Sequence, residues 1–274
     1  MKSFIRLGIL VFLAIALLYP QKAIGHDGWI ELSPAIVEKG QPVIIVLMLG
    51  NHSNGHKSYR LAGKWEPKYT SLVVIDPQGK ETDLTTRLVD MGEDEEKIGP
   101  KGPKGFHVAL FTAKEQGSYL VIARQERLLQ FGNGPKFRNV QIARAVFTAL
   151  PVPTIAEAKK TTGFDRKASK ENFLEIVPVT NPAGVIEGSP ITLEVRYKGK
   201  PAPGRVVSII RRIDGPVSAK DFTSDGQGRV SFSVGPADSY LARVNFDEES
   251  ERAEGQYDKS SYEATYVFQV FNRP

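Results

Sequence analysis

Four histidines, His26, His52, His56 and His107, are the side chains of this sequence best suited to hold a metal ion, and all lie in its first half. His52 and His56 stand four apart in Gly50-Asn51-His52-Ser53-Asn54-Gly55-His56. On a helix that spacing would put both on one face. Here Gly, Asn and Ser argue instead for a loop leaving the end of an apolar strand, where a rigid scaffold can aim it. His26 stands out by what precedes it. Lys2 and Arg6 open a basic segment, Leu7 to Tyr19 is continuously apolar, Pro20 breaks the run, and Ala23-Ile24-Gly25 offers the small-x-small pattern of a signal-peptidase site. Cleavage after Gly25 would make His26 the mature amino terminus. Its α-amine, with an unperturbed pKa of about 7.7–8.0, and its Nδ1 would then close one chelate ring, and one further imidazole would complete a three-nitrogen histidine brace. Imidazoles suit zinc, copper and nickel without help from thiolates.

Plainer readings stand beside these. A terminal histidine can be an accident of processing, and the His52/His56 loop a solvated turn. His107, beside Phe106 at the start of a strand, reads as a structural histidine and is kept as a reserve ligand. Asp27 and Glu31 are candidates to orient an imidazole from behind. The expected metal set is therefore His26, His52, His56 and His107, for a divalent nickel, cobalt or copper ion.

Other chemistry has little support. There is no cysteine, hence no thiolate ligand and no disulfide. There is no Gly-x-Ser-x-Gly elbow and no phosphate-cradling glycine loop before a helix, so the expectation is a protein that is not an enzyme. Gly92-Glu93-Asp94-Glu95-Glu96 lacks the oxygen spacing of a calcium loop and reads as a hairpin tip. Gly132-Asn133-Gly134-Pro135-Lys136-Phe137-Arg138 reads as a long hairpin connection. The formal charge of +5 falls to +2 once Lys2, Arg6 and Lys22 leave, with 33 basic against 31 acidic residues. That is too little for a nucleic-acid partner. The apolar run from Leu7 to Tyr19 is shorter than the ~20 residues of a membrane span, and no later stretch is apolar enough for stable insertion of the mature chain. An uncleaved anchor is the alternative to a secreted or periplasmic protein.

The elements that must position these residues are strands. Pro42 to Leu49 is a β-branched run bounded by Gly40 and Gly50; Tyr69 to Asp76, Phe106 to Thr112, Ser118 to Arg124 and Gln141 to Ala149 follow. Thr154 can cap a short helix from Ile155 to Lys160, with Glu157 as its capping-box partner. Strands resume at Phe173–Val179, Ile191–Tyr197, Arg205–Arg211, Arg229–Val234, Tyr240–Phe246 and Tyr262–Phe271. The expectation is an all-β chain of two tandem Greek-key sandwiches, Ig-like or prealbumin-like. Its divisions are a leader at 1–25, sandwiches at 26–150 and 172–274, and a linker with a short helix at 151–171. Val37 to Val43 resembles Ile186 to Ile191, and Ser118-Tyr119-Leu120 resembles Ser239-Tyr240-Leu241. Duplication and the common needs of sandwich turns explain this equally well.

His26-Asp27-Gly28-Trp29-Ile30, Leu49-Gly50-Asn51-His52 with Gly55-His56, and Leu174 to Pro182 together resemble the DUF4198 family over nearly the whole mature chain. These are exported proteins once grouped with a nickel-transport subunit. Gly199 to Ala202 with Thr223 to Arg229 resembles the transthyretin-like or carboxypeptidase-regulatory modules used there. The resemblance implies a periplasmic component of nickel or cobalt uptake, partnered by a membrane metal transporter, with His26, His52 and His56 as the positions to suspect. Two other readings remain open: an adhesion or carbohydrate-binding protein using Trp29, Trp65 and Tyr69, and a copper-dependent polysaccharide oxidase.

Overall fold

The computed structural model describes residues 26–51, 60–92, 104–166, 174–211 and 218–273. The leader, His52 and His56, and most of the acidic run from Gly92 lie outside them. The first half supplies β1 (Asp27–Ser33), β2 (Ile36–Glu38), β3 (Pro42–Asn51), β4 (Arg60–Gly63), β5 (Thr70–Ile75), β6 (Glu81–Asp83), β7 (Val89–Asp90), β8 (Phe106–Thr112), β9 (Gly117–Leu129) and β10 (Phe137–Leu150). The second supplies β11 (Leu174–Pro178), β12 (Pro190–Tyr197), β13 (Lys200–Pro201), β14 (Val206–Arg211), β15 (Ser218–Thr223), β16 (Arg229–Ser233), β17 (Asp238–Glu248) and β18 (Lys259–Val270). Between them α1 (Ile155–Ala158) is capped by Thr154, whose side chain accepts from the Glu157 N–H. The described residues are all-β apart from such short helical turns.

The strands of the described residues form three sheets. A nine-stranded sheet runs β15-β14-β17-β18-β10-β9-β5-β6, with β2 also on β10; a five-stranded sheet runs β1-β3-β8-β7 with β4 on β3; a four-stranded sheet groups β11, β13 and β16 around β12. The halves therefore share one continuous central sheet, joined where β10 and β18 pair in parallel from Phe137↔Lys259 to Ala145↔Val267.

Alternation along β10 places the other two sheets. Ala143, Ala145 and Phe147 pack with Ile45 and Leu47 of β3, whereas Val140, Ile142 and Val146 pack with Ile176 of β11 and Leu193 of β12. Successive strand residues point to opposite faces, so the outer sheets cover opposite faces of the central one. With both faces covered, β10 is buried without interruption from Val140 to Leu150, the signature of a doubly covered strand.

The halves repeat one core strand order. β1-β3-β8 repeats as β11-β12-β16, and β6-β5-β9-β10 as β15-β14-β17-β18. Equivalent strands β10 and β18 lie side by side and parallel, so the relating twofold runs along the strands and exchanges the faces of the sheet. Details repeat too. The Tyr119 hydroxyl donates to the Glu115 carbonyl at 2.9 Å and the Tyr240 hydroxyl to that of Pro236 at 3.0 Å. Tyr119 stacks on Phe147 and Tyr240 on Phe268, their cross-strand partners. Gly40 and Gly188 both take positive φ, 93° and 77°, in the turn before β3 and before β12, a conformation that favours glycine. This corrects the balance between duplication and generic turn chemistry in favour of duplication.

Candidate functional site

β1 forms the edge of the five-stranded sheet and carries His26 immediately before its first residue. Its ladder with β3 runs from Ser33↔Ile44 to Asp27↔Gly50, so His26 sits at the end of the ladder where β3 finishes. β3 ends at Asn51, which pairs with Arg60 at the start of β4. One anchor of the segment that carries His52 and His56, Asn51, thus follows the ladder partner of Asp27, and the other, Arg60, pairs with Asn51 from the far side of β3; the two histidines themselves are outside the described residues. His26 is exposed. Its Nδ1 lies close to β4, 3.8 Å from where a Cβ on Gly63 would stand.

His107 lies elsewhere in character. It faces the core from β8, opposite Leu47 on one side and Asp90 on the other. It is 1% exposed, and neither ring nitrogen has a hydrogen-bond partner among the described residues. Burial pushes its pKa down, the nearby Asp90 pushes it up, and Lys64 pushes it down again, with a net lowering. Lys64 and Asp90 themselves pair at 2.5 Å. Among the described residues no three His, Asp or Glu side chains gather as a metal site would require.

The residues after His26 turn inward. Asp27 is ion-paired with Arg243 of β17, and the Glu31 carboxylate accepts from Nε1 of Trp29 at 3.0 Å. Trp29 packs against Ile210, Leu241 and Val267 of the second half, and Trp65 donates to the Met48 carbonyl at 2.7 Å. Both indoles are 1% exposed, whereas Tyr69 is 45% exposed. A sugar platform built from Trp29, Trp65 and Tyr69 therefore has two of its three rings inside the protein. Gly28 lets the Trp65 ring lie against the strand: a Cβ there would stand 2.6 Å from the ring's Cζ2.

Four residues that sequence reasoning missed complete this end of the molecule. Gln141 of β10 donates through Nε2 to the His26 carbonyl at 2.7 Å and to Glu263 Oε1 at 3.2 Å. Glu263 of β18 accepts from the Gly28 N–H at 3.0 Å. The Thr265 hydroxyl donates to the Gly28 carbonyl at 2.6 Å. Arg243 pairs with Asp27 and approaches Glu263 Oε2 at 3.7 Å. Burial, then the Asp27 charge beside it, raises the Glu263 pKa to about 8 despite Arg243. Burial also raises that of Asp27, against Arg243. Two carboxylates and one guanidinium in so dry a place keep one proton, because desolvation penalises each uncompensated charge. No local motif announces these residues.

A family model described as a domain of unknown function, DUF4198, matches residues 23–248. No curated protein matches the chain. Solved structures similar to it include the ectodomain of mouse nectin-like molecule 4, at 13% identity over 90% of this chain and 65% of that one, TM-score 0.26. The two fibronectin type-III domain segment of chicken tenascin is similar at 10% identity over 89% and 99%, TM-score 0.22. A Salmonella alpha-2-macroglobulin is similar at 12% over 89% and 15%, TM-score 0.25. The chain spans less than two thirds of the first of these, and at such TM-scores the likenesses carry no argument.

Proposed function

The chain belongs to the DUF4198 family, and from that premise we propose that it is an exported, non-enzymatic protein that binds a divalent transition-metal ion at its mature amino terminus. Nickel or cobalt is the expected cargo in a periplasmic protein serving a membrane transporter, with copper the rival because nitrogen ligands intrinsically favour it. The observation that carries the reading is the end of the β1–β3 ladder. His26 precedes Asp27 there, at the end of β3 from which the segment bearing His52 and His56 departs.

The donor chemistry fits such an ion in part. After cleavage, His26 would bring an amine and an imidazole in one chelate ring. Since no group of three ligating side chains is present among the described residues, His52 and His56 must supply the remainder. His107, turned into the core, is left out of this set. Neutral nitrogens are needed throughout, so protons compete with the metal and affinity declines as pH falls through the imidazole range.

Calorimetric titration of the mature protein with nickel, cobalt, copper and zinc tests the reading. One ion per chain is expected, with micromolar or tighter affinity, about −8 kcal/mol. His26→Ala and the pair His52→Ala/His56→Ala should each weaken it at least about 100-fold, near 2.8 kcal/mol. Binding no tighter than about millimolar for every ion would reject it.

A further inference from the structure

We propose that Gln141, Arg243, Glu263 and Thr265 form a seat that positions His26, so that the terminal nitrogens are held by the molecule's other half as much as by their own strand. A strand at a sheet edge, beginning at a free end, would ordinarily fray. Here the first three residues of that strand's approach are tied at consecutive points. The His26 carbonyl accepts from Gln141, the Asp27 carboxylate pairs with Arg243, and Gly28 uses both its N–H, to Glu263, and its carbonyl, to Thr265. Gln141 lies on β10 and faces Glu263 across the parallel seam, while Arg243 and Thr265 pair across β17 and β18. All four thus project from one face of the central sheet onto the backbone of His26–Gly28.

The consequence is selective. His26 as a residue is exposed while Asp27, the next residue, is 1% exposed. An aminopeptidase must draw the bond between His26 and Asp27 into an extended cleft, which the seat denies. A metal, by contrast, needs only the amine and the ring. The seat thus presents the ligand atoms and shields the bond behind them. It also removes the freedom that a flexible terminus would lose on chelation, which is the usual gain from preorganisation. Metal positioning rests on the metal binding proposed above; protection of the terminus rests only on the cleavage after Gly25 that is part of that proposal.

Two measurements separate the ideas. First, mature wild-type protein without metal is treated with a broad-specificity aminopeptidase and followed by intact mass. Wild type should keep His26, whereas Thr265→Val and Gln141→Leu should shed it about tenfold faster or more, equivalent to ~1.4 kcal/mol of easier opening. Thr265→Ser, which keeps the hydroxyl, should behave as wild type. Equal rates in variants with unaltered melting would overturn the seat. Should the variants not fold, amide exchange on wild type decides: Gly28 protected like the inner strands supports the seat, and Gly28 exchanging freely refutes it. Second, copper titration with electron paramagnetic resonance should show the nitrogen-ligated spectrum and about tenfold tighter binding in wild type and Thr265→Ser than in Thr265→Val. Undiminished affinity with an unchanged spectrum in Thr265→Val would refute positioning alone. Absence of copper, nickel and cobalt binding to wild type would refute the proposed function and leave the protease result to judge the seat.

Discussion

Glu175 of β11 meets Arg144 of β10 at 3.3 Å, and Asp27 of β1 meets Arg243 of β17. Each is a carboxylate on the first strand of one half facing an arginine from the other half's hairpin, and β1 and β11 are equivalent in the duplication. The differences lie in what else each arginine holds. Arg144 is 2% exposed and also donates to the carbonyls of Phe164 and Arg166. It therefore fastens the connector through which the chain enters the second half. Burial pushes its own pKa down, with Glu175 opposing. Among the described residues Arg243 holds no connector; a second carboxylate, Glu263, stands 3.7 Å from it. One half uses its buried arginine to hold a connector passing through, and the other to hold the start of β1. The lesson is that non-equivalent ion pairs, each joining the first strand of one half to the other half, can serve different ends, one holding a connector and one the start of a strand.

The comparison is broken most severely at Arg144. Arg144→Met leaves Glu175 buried without its cation and two carbonyls without donors, and should cost about 3–5 kcal/mol in urea denaturation at neutral pH. The corresponding change in the other ion pair, Arg243→Met, should cost less, about 3 kcal/mol, because Glu263 and Asp27 can take up protons in its absence. That cost should shrink as pH falls, whereas the Arg144→Met cost follows pH more weakly. Equal, pH-independent losses would show that the second carboxylate makes no difference.

The smallest change sharpens the contrast. Glu263 has a folded pKa of about 8 against an ordinary 4.5. A raised carboxyl contributes stability that is complete below the lower value and is lost as pH rises through the higher one. Wild type should therefore lose stability from about pH 4.5 to about pH 8 at this site. Glu263→Gln keeps an acceptor for the Gly28 N–H, so stability near pH 6 should shift by less than about 1 kcal/mol while that decline disappears. Melting curves across this range check it. An unaltered slope would mean that Glu263 ionises in the folded state as it does in water.

Much of the scaffold was legible in the sequence. The β3 run shows because Val43, Ile45, Leu47 and Leu49 are inward-facing between two glycines, and α1 shows through its Thr154 cap. β1 was not legible: Asp27 and Glu31 interrupt its apolar residues, and a buried carboxylate reads as a surface one until its arginine is known. β10 and β18 were found short of their true starts, at Phe137 and Lys259, since polar residues there are covered by parallel pairing between segments more than a hundred positions apart. His26 could be singled out from its leader and its residue type. Gln141, Arg243, Glu263 and Thr265 could not, because only the shared central sheet brings them together.

Native mass spectrometry of the protein recovered from the exporting cell tests the central claim most directly. The account predicts a chain beginning at His26 that carries one transition-metal ion, with the ion missing from His26→Ala. A chain processed at another position, or one beginning at His26 that takes up no nickel, cobalt or copper when these are supplied, would contradict it.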